Sequence, residues 1–584
     1  MNRNSYIKMQ KFGDSLAENS DNLPEIRVAV LGDFATQQLV KILKASLHKK
    51  GYFPRVYEAD FNAIQTEIFS PDSHLYSFQP DYVYIAVSMQ GFRSRFYNAA
   101  TDEKKQLSER YCDELAELCQ PLGDKGIQII LNTLSLPVER IFGNYSIKTP
   151  ISLYNAVIKV NNLMAEKLGA IPGCHLNDVM SISSTIGLEN WYDEKLWVHS
   201  KYLCSPVHFP RITESVAGII AASRGKVTKC IVLDCDNTLW GGIIGDDGLE
   251  GIELGPEGVG EAFYRFQQFL MQLKERGYII TVCSKNEYEN AILPFREHPN
   301  MVLKEDDITL FVANWNNKPS NIEYIAEVLN IGLDSMIFID DSVFERNQVR
   351  ELLPQIIVPE MPEDPAEYIR ALDSEGIFET ISTSEEDKDR TKMYKAQAAR
   401  SIEAVKFRNV DDFLVSLQMQ VTFNRFDKLN LPRAVQLMQR SNQFNLRTQR
   451  FSESQCVEFM KNTGSFYPVY VKLKDKYGDN GLIGVVCTEY KGDSLFISEF
   501  VMSCRVLKRG VEYFIMNRLV SHARSKKLLK IVGEHIPTKK NFIVKDFFAQ
   551  YGFVPVHKDN DRVTWELNVD DYTDKKCFME RVND

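Results

Sequence analysis

The sequence predicts an α/β protein made of two parallel-sheet blocks followed by an α+β block. Three observations predict it. Short apolar runs alternate with helix-length amphipathic stretches over residues 26–373, the pattern of buried parallel strands with crossover helices. Beyond residue 406, strand-like runs follow one another before a single strong helical segment, which is an α+β pattern. The length of 584 residues suggests three or four domains, at roughly 150 residues each. Apolar residues at 44% and charged residues at 25% exclude a mostly disordered, collagen-like or coiled-coil chain.

Residues 1–25 form a polar leader. The stretch MNRNSYIKMQKFGDSLAENSDNLP lacks the apolar middle of a signal peptide. No run approaches the roughly 18–20 apolar residues needed to span a bilayer. A cytoplasmic protein with no membrane partner is the expectation. Lys and Arg total 69 against 79 Asp and Glu, a net charge of −10. The whole molecule therefore has no cationic field for nucleic acid, and none is expected as a partner. The 11 cysteines are dispersed without a C-x-x-C pair, which favours free thiols over a zinc site or disulfide framework.

The first block, residues 26–225, carries the strands IRVAVLGDF (26–34), DYVYIAVS (81–88) and GIQIILNT (126–133). The second, residues 226–373, repeats that logic with KCIVLDCDNT (229–238), YIITVCSKN (278–286) and SMIFIDDS (335–342). Between them, Phe263, Phe266, Leu270 and Leu273 fall at helical spacing and read as core, with Gly277 as the stop. Residues 374–405 read as a charged helical linker with a solvated face. The third block, residues 406–584, has strands at 466–473, 481–490 and 494–502 and a helix at 511–526.

The chemistry concentrates in the second block. Asp234 and Asp236 follow the apolar strand CIVL, with Thr238 just beyond. Paired carboxylates at a strand end repel and are partly desolvated, a cost that a divalent cation removes. Asp340 and Asp341 follow a second apolar strand, MIFI. Four acids at the carboxyl edge of one parallel sheet line the place where open α/β sheets bind ligands. Oxygen ligands without His or Cys favour Mg2+ over zinc. Ser284, at a third strand end, and Lys318 add a hydroxyl and a cation suited to phosphate oxygens. Together they read as a phosphoryl-transfer site acting on a small phosphorylated substrate.

These four elements, DCDNT, the Ser of CSKN, Lys318 and IDDS, resemble the motifs of the haloacid dehalogenase (HAD) superfamily. The longer phrase VLDCDNTLWGGIIGDDGLEGIEL, with CSKN and WNNKP, resembles its FkbH-like branch, subfamily IIIC. The resemblance implies a Rossmann-like HAD domain and an enzyme that dephosphorylates a small glyceryl-type acyl precursor and loads the acyl unit onto an acyl carrier protein. It implies Asp234 as nucleophile, Asp236 as the acid that protonates the leaving oxygen and then activates water, and Thr238 as support for their loop. Ser284 and Lys318 would hold phosphate oxygens. Asp234, Asp236, Asp340 and Asp341 form the metal set, with Asp236 contributing its backbone carbonyl and Asp341 either a ligand or just behind one.

Cys235 stays open between an acyl-carrying thiol and a small residue packed behind the loop. Trp240, Gly241 and Gly242 either shape the cleft or simply turn and pack. Only 46 residues separate Thr238 from Ser284 and 34 separate Ser284 from Lys318, so a hairpin at 241–254 and one helix leave no room for a cap domain. An open cleft suits large or protein-tethered substrates. A simple phosphomonoesterase and a non-catalytic scaffold or carrier-docking protein are the alternatives.

The flanks carry weaker likenesses. Gly32-Asp33-Phe34 resembles the entry motif of SGNH hydrolases with Phe in place of the nucleophilic Ser, implying a degenerate SGNH/flavodoxin-like domain. SEFVMSCRV, LKRGVE and FFAQYGF resemble a GNAT acyltransferase domain, whose helix start can bind the pyrophosphate of coenzyme A. Leu507 and Glu512 depart from that pattern and only Gly510 fits it.

Overall fold

The computed structural model describes residues 3–16, 23–382, 390–441, 443–538, 541–559 and 562–582. The chain divides into two compact units, residues 1–222 and 223–584. No helix among the described residues is long and apolar enough to cross a membrane.

The first unit is built on five parallel strands, β1 (Glu25–Gly32), β2 (Phe53–Glu58), β3 (Tyr82–Ala86), β4 (Gln128–Asn132) and β5 (Cys174–Asn177), in the order β2-β1-β3-β4-β5. Residues Tyr82–Ala86 are buried throughout, as expected of a strand covered on both faces. The carboxyl edge is braced by polar groups rather than left open. The Tyr84 hydroxyl and Asn177 Nδ2 both donate to Asn132 Oδ1 at 2.8 Å. Within the stretch read as a polar leader, Arg3–Ser15 is a helix, and Phe12 meets the His48 ring edge-on at 5.1 Å.

The second unit begins with four parallel strands, β6 (Cys230–Leu233), β7 (Ile279–Ser284), β8 (Leu310–Ala313) and β9 (Met336–Ile339), in the order β8-β7-β6-β9. Leu233 lies opposite both Val282 and Ile339, so the residues that follow β6, β7 and β9 emerge at one edge. The helix Gly260–Glu275 buries Phe263, Phe266, Leu270 and Leu273 as their spacing predicts. Residues 241–254 differ from the expected hairpin. A Gly241–Glu253 bridge closes the segment, but Ile244–Gly251 between them is a short helix broken at Gly248. No cap domain interrupts either interval.

The rest of this unit is an eight-stranded mixed sheet: β10 (Met419–Arg425), β11 (Val469–Asp475), β12 (Gly478–Lys491), β13 (Ser494–Met502), β14 (Lys530–His535), β15 (Val554–Lys558), β16 (Val563–Asn568) and β17 (Met579–Arg581). Their order is β15-β16-β14-β13-β12-β11-β10-β17. Only the β13–β14 and β10–β17 pairs are parallel, and the helix Val511–Ser525 makes the crossover between β13 and β14.

The expected solvated linker is corrected in part. Residues 383–389 lie outside the described residues, but Arg390–Ala404 is a helix that buries Thr391, Tyr394, Ala398 and Arg400. Arg400 Nη2 donates to Asp475 Oδ1 at 2.8 Å, and Arg509 Nη1 reaches Asp475 Oδ2 at 3.1 Å. All three side chains are almost wholly buried. Mixed charge along the stretch describes only its outer face; Tyr394 and Ala398 pack inward.

Glu499, on β13, is fully buried and its Oε2 has no hydrogen-bond partner. Burial raises its pKa from 4.5 to about 7, against the Phe500 N–H, which stabilises the anion. A raised carboxyl pKa contributes stability below the unfolded value that is lost as pH rises through the folded value. Glu499→Gln should therefore leave stability unchanged near pH 4 and raise it by about 3 kcal/mol above pH 7, at 1.36 kcal/mol per pKa unit. Denaturant unfolding at the two pH values checks this; an equal effect at both would refute the buried-acid assignment.

Candidate active site

The loop after β6 turns sharply because Asn237 adopts φ 55°, a left-handed conformation that Asn tolerates better than most residues. Tyr368 Oη donates to the Asn237 carbonyl at 3.1 Å and fixes the turn. Gly242, at φ 95°, completes the exit; a Cβ there would meet Asp247 Oδ2 at 2.6 Å. Thr238 is fully buried and ties two loops together. Its Oγ1 accepts from the Asp341 N–H at 3.1 Å and donates to Asp341 Oδ1 at 3.3 Å.

Lys318 is the first residue of the helix Lys318–Leu329, which Asn317 caps by accepting from the Ser320 N–H at 2.9 Å. Only 2% of its side chain is exposed. Its Nζ lies 2.7 Å from Asp234 Oδ1 and 2.6 Å from Asp340 Oδ2. Asp340 is fully buried, and the Ser342 N–H donates to its other oxygen at 2.9 Å. Burial, then the Asp234 charge, push the Asp340 carboxyl up to about 7, with Lys318 pulling the other way. Burial alone would discharge Lys318, but the two carboxylates outweigh it and hold its pKa above the usual lysine value.

Oxygens of Asp234, Asp340 and Asp341 all lie within 4.8 Å of one another, a set that could hold a metal ion. Hard carboxylate donors without nitrogen or sulfur fit a hard divalent cation. The Asp236 side chain is not part of that set, which leaves the expected backbone-carbonyl contact as its route to a metal. Its Oδ1 accepts from Trp240 Nε1 and from the Ile244 N–H, both at 3.0 Å, and its Oδ2 accepts from Asn286 Nδ2 at 3.2 Å. Burial, and then the neighbouring Asp234 charge, raise its pKa, while those three donors act against the rise. A carboxyl that is held in place and slow to lose its proton can serve as a general acid.

Cys235, which the sequence leaves open, is enclosed. Its side chain is fully enclosed in a cluster with Ile231, Leu233, Leu239 and Trp240. Burial, reinforced by Asp234 and Asp236, raises the thiol pKa well above its ordinary value. Enclosure and a raised thiol pKa favour the packing role over the acyl-carrying one. Ser284 is buried at the end of β7.

The structure adds residues whose roles the sequence did not reveal. Asn286 and Trp240 fix the Asp236 carboxyl. Arg346, 2% exposed, donates from Nη1 to the carbonyls of Asp340 at 2.8 Å and Asp341 at 2.6 Å. It thereby shapes the acidic loop from behind. Lys285 pairs with Glu345 at 2.6 Å, joining the β7 exit to the helix after β9. An asparagine two residues after Ser284 and an arginine six after Asp340 were the available signals. In the first unit, Phe34 is 1% exposed at the exit of β1, and Asp33 Oδ2 accepts from the Ser88 N–H at 3.1 Å. That edge offers no nucleophile at the position of Phe34.

Residues 27–221 match the family model described as the N-terminal domain of FkbH. The chain is similar to the N-terminal part of the protein BF1531 from Bacteroides fragilis, described as containing a phosphatase domain and complexed with Mg. The two are 38% identical with a TM-score of 0.62, over 65% of this chain and 99% of that one. Its HAD-like α/β fold with parallel sheets is thereby shown. Weaker likenesses fall on the ribosomal-protein-S18-alanine N-acetyltransferase of Escherichia coli, at 12% identity over 26% of this chain and 94% of that one, TM-score 0.21. A GNAT-family acetyltransferase of Desulfovibrio desulfuricans gives 12% identity over 26% and 99%, TM-score 0.22. No curated protein matches.

Lys318 holds together two carboxylates that would otherwise repel. Replacing it by methionine in chelated buffer should lower the stability of its unit by about 3–5 kcal/mol, the cost of leaving a buried charge unpaired. Added divalent cation should restore part of the loss. Unchanged stability in chelated buffer would show that the lysine does not bind this centre together.

Proposed function

The chain belongs to the family of the phosphatase-domain protein BF1531, and we propose that it is a Mg2+-dependent HAD-type phosphatase acting on a small phosphorylated acyl precursor. The observation that carries the reading is the convergence of Asp234, Asp340 and Asp341 within 4.8 Å, with Lys318 bridging the first two. The Mg complex of BF1531 and the oxygen-only donor set both support Mg2+ as the cation. When bound by these carboxylates, it would offset their charge and that of the phosphoryl oxygens.

Asp234 attacks the phosphorus, forming an Oδ–P bond as the bond to the leaving oxygen breaks. Asp236, held by Trp240 and Asn286, gives its proton to that oxygen. It then takes a proton from the water that attacks the aspartyl-phosphate, and the Oδ–P bond breaks to release phosphate. Lys318 holds the transferring oxygens, and Ser284 supports them from the end of β7.

We further propose that the acyl unit is loaded onto an acyl carrier protein. With Cys235 enclosed, the carrier thiol itself would attack the acyl carbonyl of a precursor that bears both an acyl phosphate and a phosphoester, Asp234 taking only the ester phosphate. The C–S bond forms as the C–O bond to phosphate breaks, and the thiol proton departs with the phosphate. The buried Phe34 in the first unit supports a carrier-docking rather than a hydrolytic role there. A simple phosphomonoesterase is the second reading, and the enclosure of Cys235 favours it.

Incubation with Mg2+, a phosphoester panel including 1,3-bisphosphoglycerate, and a holo carrier protein separates the readings. Phosphate plus a carrier mass adduct supports loading, and phosphate alone supports the esterase. Asp234→Asn should abolish turnover, and Asp236→Asn should slow phosphate release by about 100-fold or more while a phosphoprotein accumulates. Cys235→Ser should leave both readouts within about twofold. Full activity in Asp234→Asn would end the phosphatase reading.

A further inference from the structure

The C-terminal sheet takes no part in the phosphoryl site, yet its polar groups gather around one opening. β13 and β14 pair in parallel over Ser494–Ile497 and Lys530–Gly533 and pair no further. Parallel strands that part leave backbone amides and carbonyls free at their carboxyl ends, where α/β sheets take ligands and where an extended amide chain can add as a strand. Here the chain fills that space itself. The Leu446 N–H donates to the Phe500 carbonyl at 3.2 Å, and the Met502 N–H to the Phe444 carbonyl at 3.1 Å. On the other side, the Ile536 N–H donates to the Leu446 carbonyl at 2.9 Å, and Asn541 Nδ2 to the Asn445 carbonyl at 2.9 Å. Asn445 and Leu446 are wholly buried and Phe444 nearly so. Arg447 closes the segment, with Nη1 donating to the Ser498 carbonyl at 2.6 Å and Nη2 lying 3.0 Å from Glu534.

The adjoining helix start is engaged as well. A free helix N-terminus takes an anion through its unpaired N–H groups. The first turn of Val511–Ser525 carries Glu512, whose Oε2 is buried without a hydrogen-bond partner and whose pKa is raised by burial. The turn before it is covered by the helix Arg390–Ala404. Arg509 Nη2 donates to Gln397 Oε1 at 2.6 Å, and the Arg505 guanidinium sits 5.9 Å from the centre of the Tyr394 ring.

We infer that the C-terminal domain is closed to a coenzyme A thioester: residues 444–447 occupy the gap an extended amide arm would need, and Glu512 places a carboxyl in the first helical turn, where a pyrophosphate would meet like charge. Segment 444–447 acts as a built-in ligand. An acyl group would then not reach this domain as a coenzyme A thioester. The inference stands whether or not the phosphatase reading holds.

Two measurements on the full chain test it. Calorimetric titration with coenzyme A and with acetyl-coenzyme A should give no saturable binding up to about 1 mM. Hydrogen exchange should find the amides of Leu446, Met502 and Ile536 protected at least about 100-fold relative to an unstructured peptide. Saturable binding with Kd below about 100 μM would overturn the inference. Exchange of the Leu446 and Ile536 amides at the rate of exposed loops would overturn it equally.

Discussion

Crowded negative charge is the constraint on which the second unit depends. Asp340 is fully buried and Asp234 nearly so, with Asp341 within 4.8 Å of both. Like charges this close and this dry disfavour one another by several kcal/mol. Lys318 answers that cost from inside the fold, because a helix N-terminus capped by Asn317 delivers its ammonium between two strand exits. Arg346 answers it again from behind, bonding the carbonyls of the acidic loop. What remains unbalanced faces the cleft, and that surplus is what draws in a cation and a phosphoryl group.

The sheet makes such crowding affordable in geometry. Because β6, β7 and β9 share one register, their exits stand side by side without strain in the strands themselves. Strain is confined to the turn at Asn237 and Gly242, where one residue tolerates φ > 0 and the other has no Cβ. Thr238 then couples the β6 and β9 loops, so a shift in one acid is felt by the other.

The strands and the acidic set could be read from the sequence because both follow from local rules. Buried parallel strands are continuous apolar runs, and carboxylates directly after them can point only into the edge. What could not be read depends on contacts remote in the chain. The anchoring of Asp236 is not legible in the sequence, because alternation along a strand cannot show that Trp240, Ile244 and Asn286 converge on its carboxyl. Cys235 stayed open because burial of a loop residue is decided by the helix packed behind it. The Arg390–Ala404 helix was taken for a solvated linker because its charge pattern hides Arg400, whose partner Asp475 is 75 residues away.

The contrast between the two kinds of strand opening in this chain follows from what fills each one. At β6 and β9 the opening is lined by charge that the protein only half satisfies, so it must recruit ligands from solution. Where β13 and β14 part, the backbone of Phe444–Leu446 hydrogen-bonds the diverging strands; at the exit of β1, Ser88 donates to one oxygen of Asp33 and the other, Oδ1, is buried without a partner. An unsatisfied buried polar group costs about 1–3 kcal/mol, so an opening that the chain has already satisfied gives a ligand little to gain. By that measure the carboxyl edge of β6 and β9 is where a ligand has most to gain.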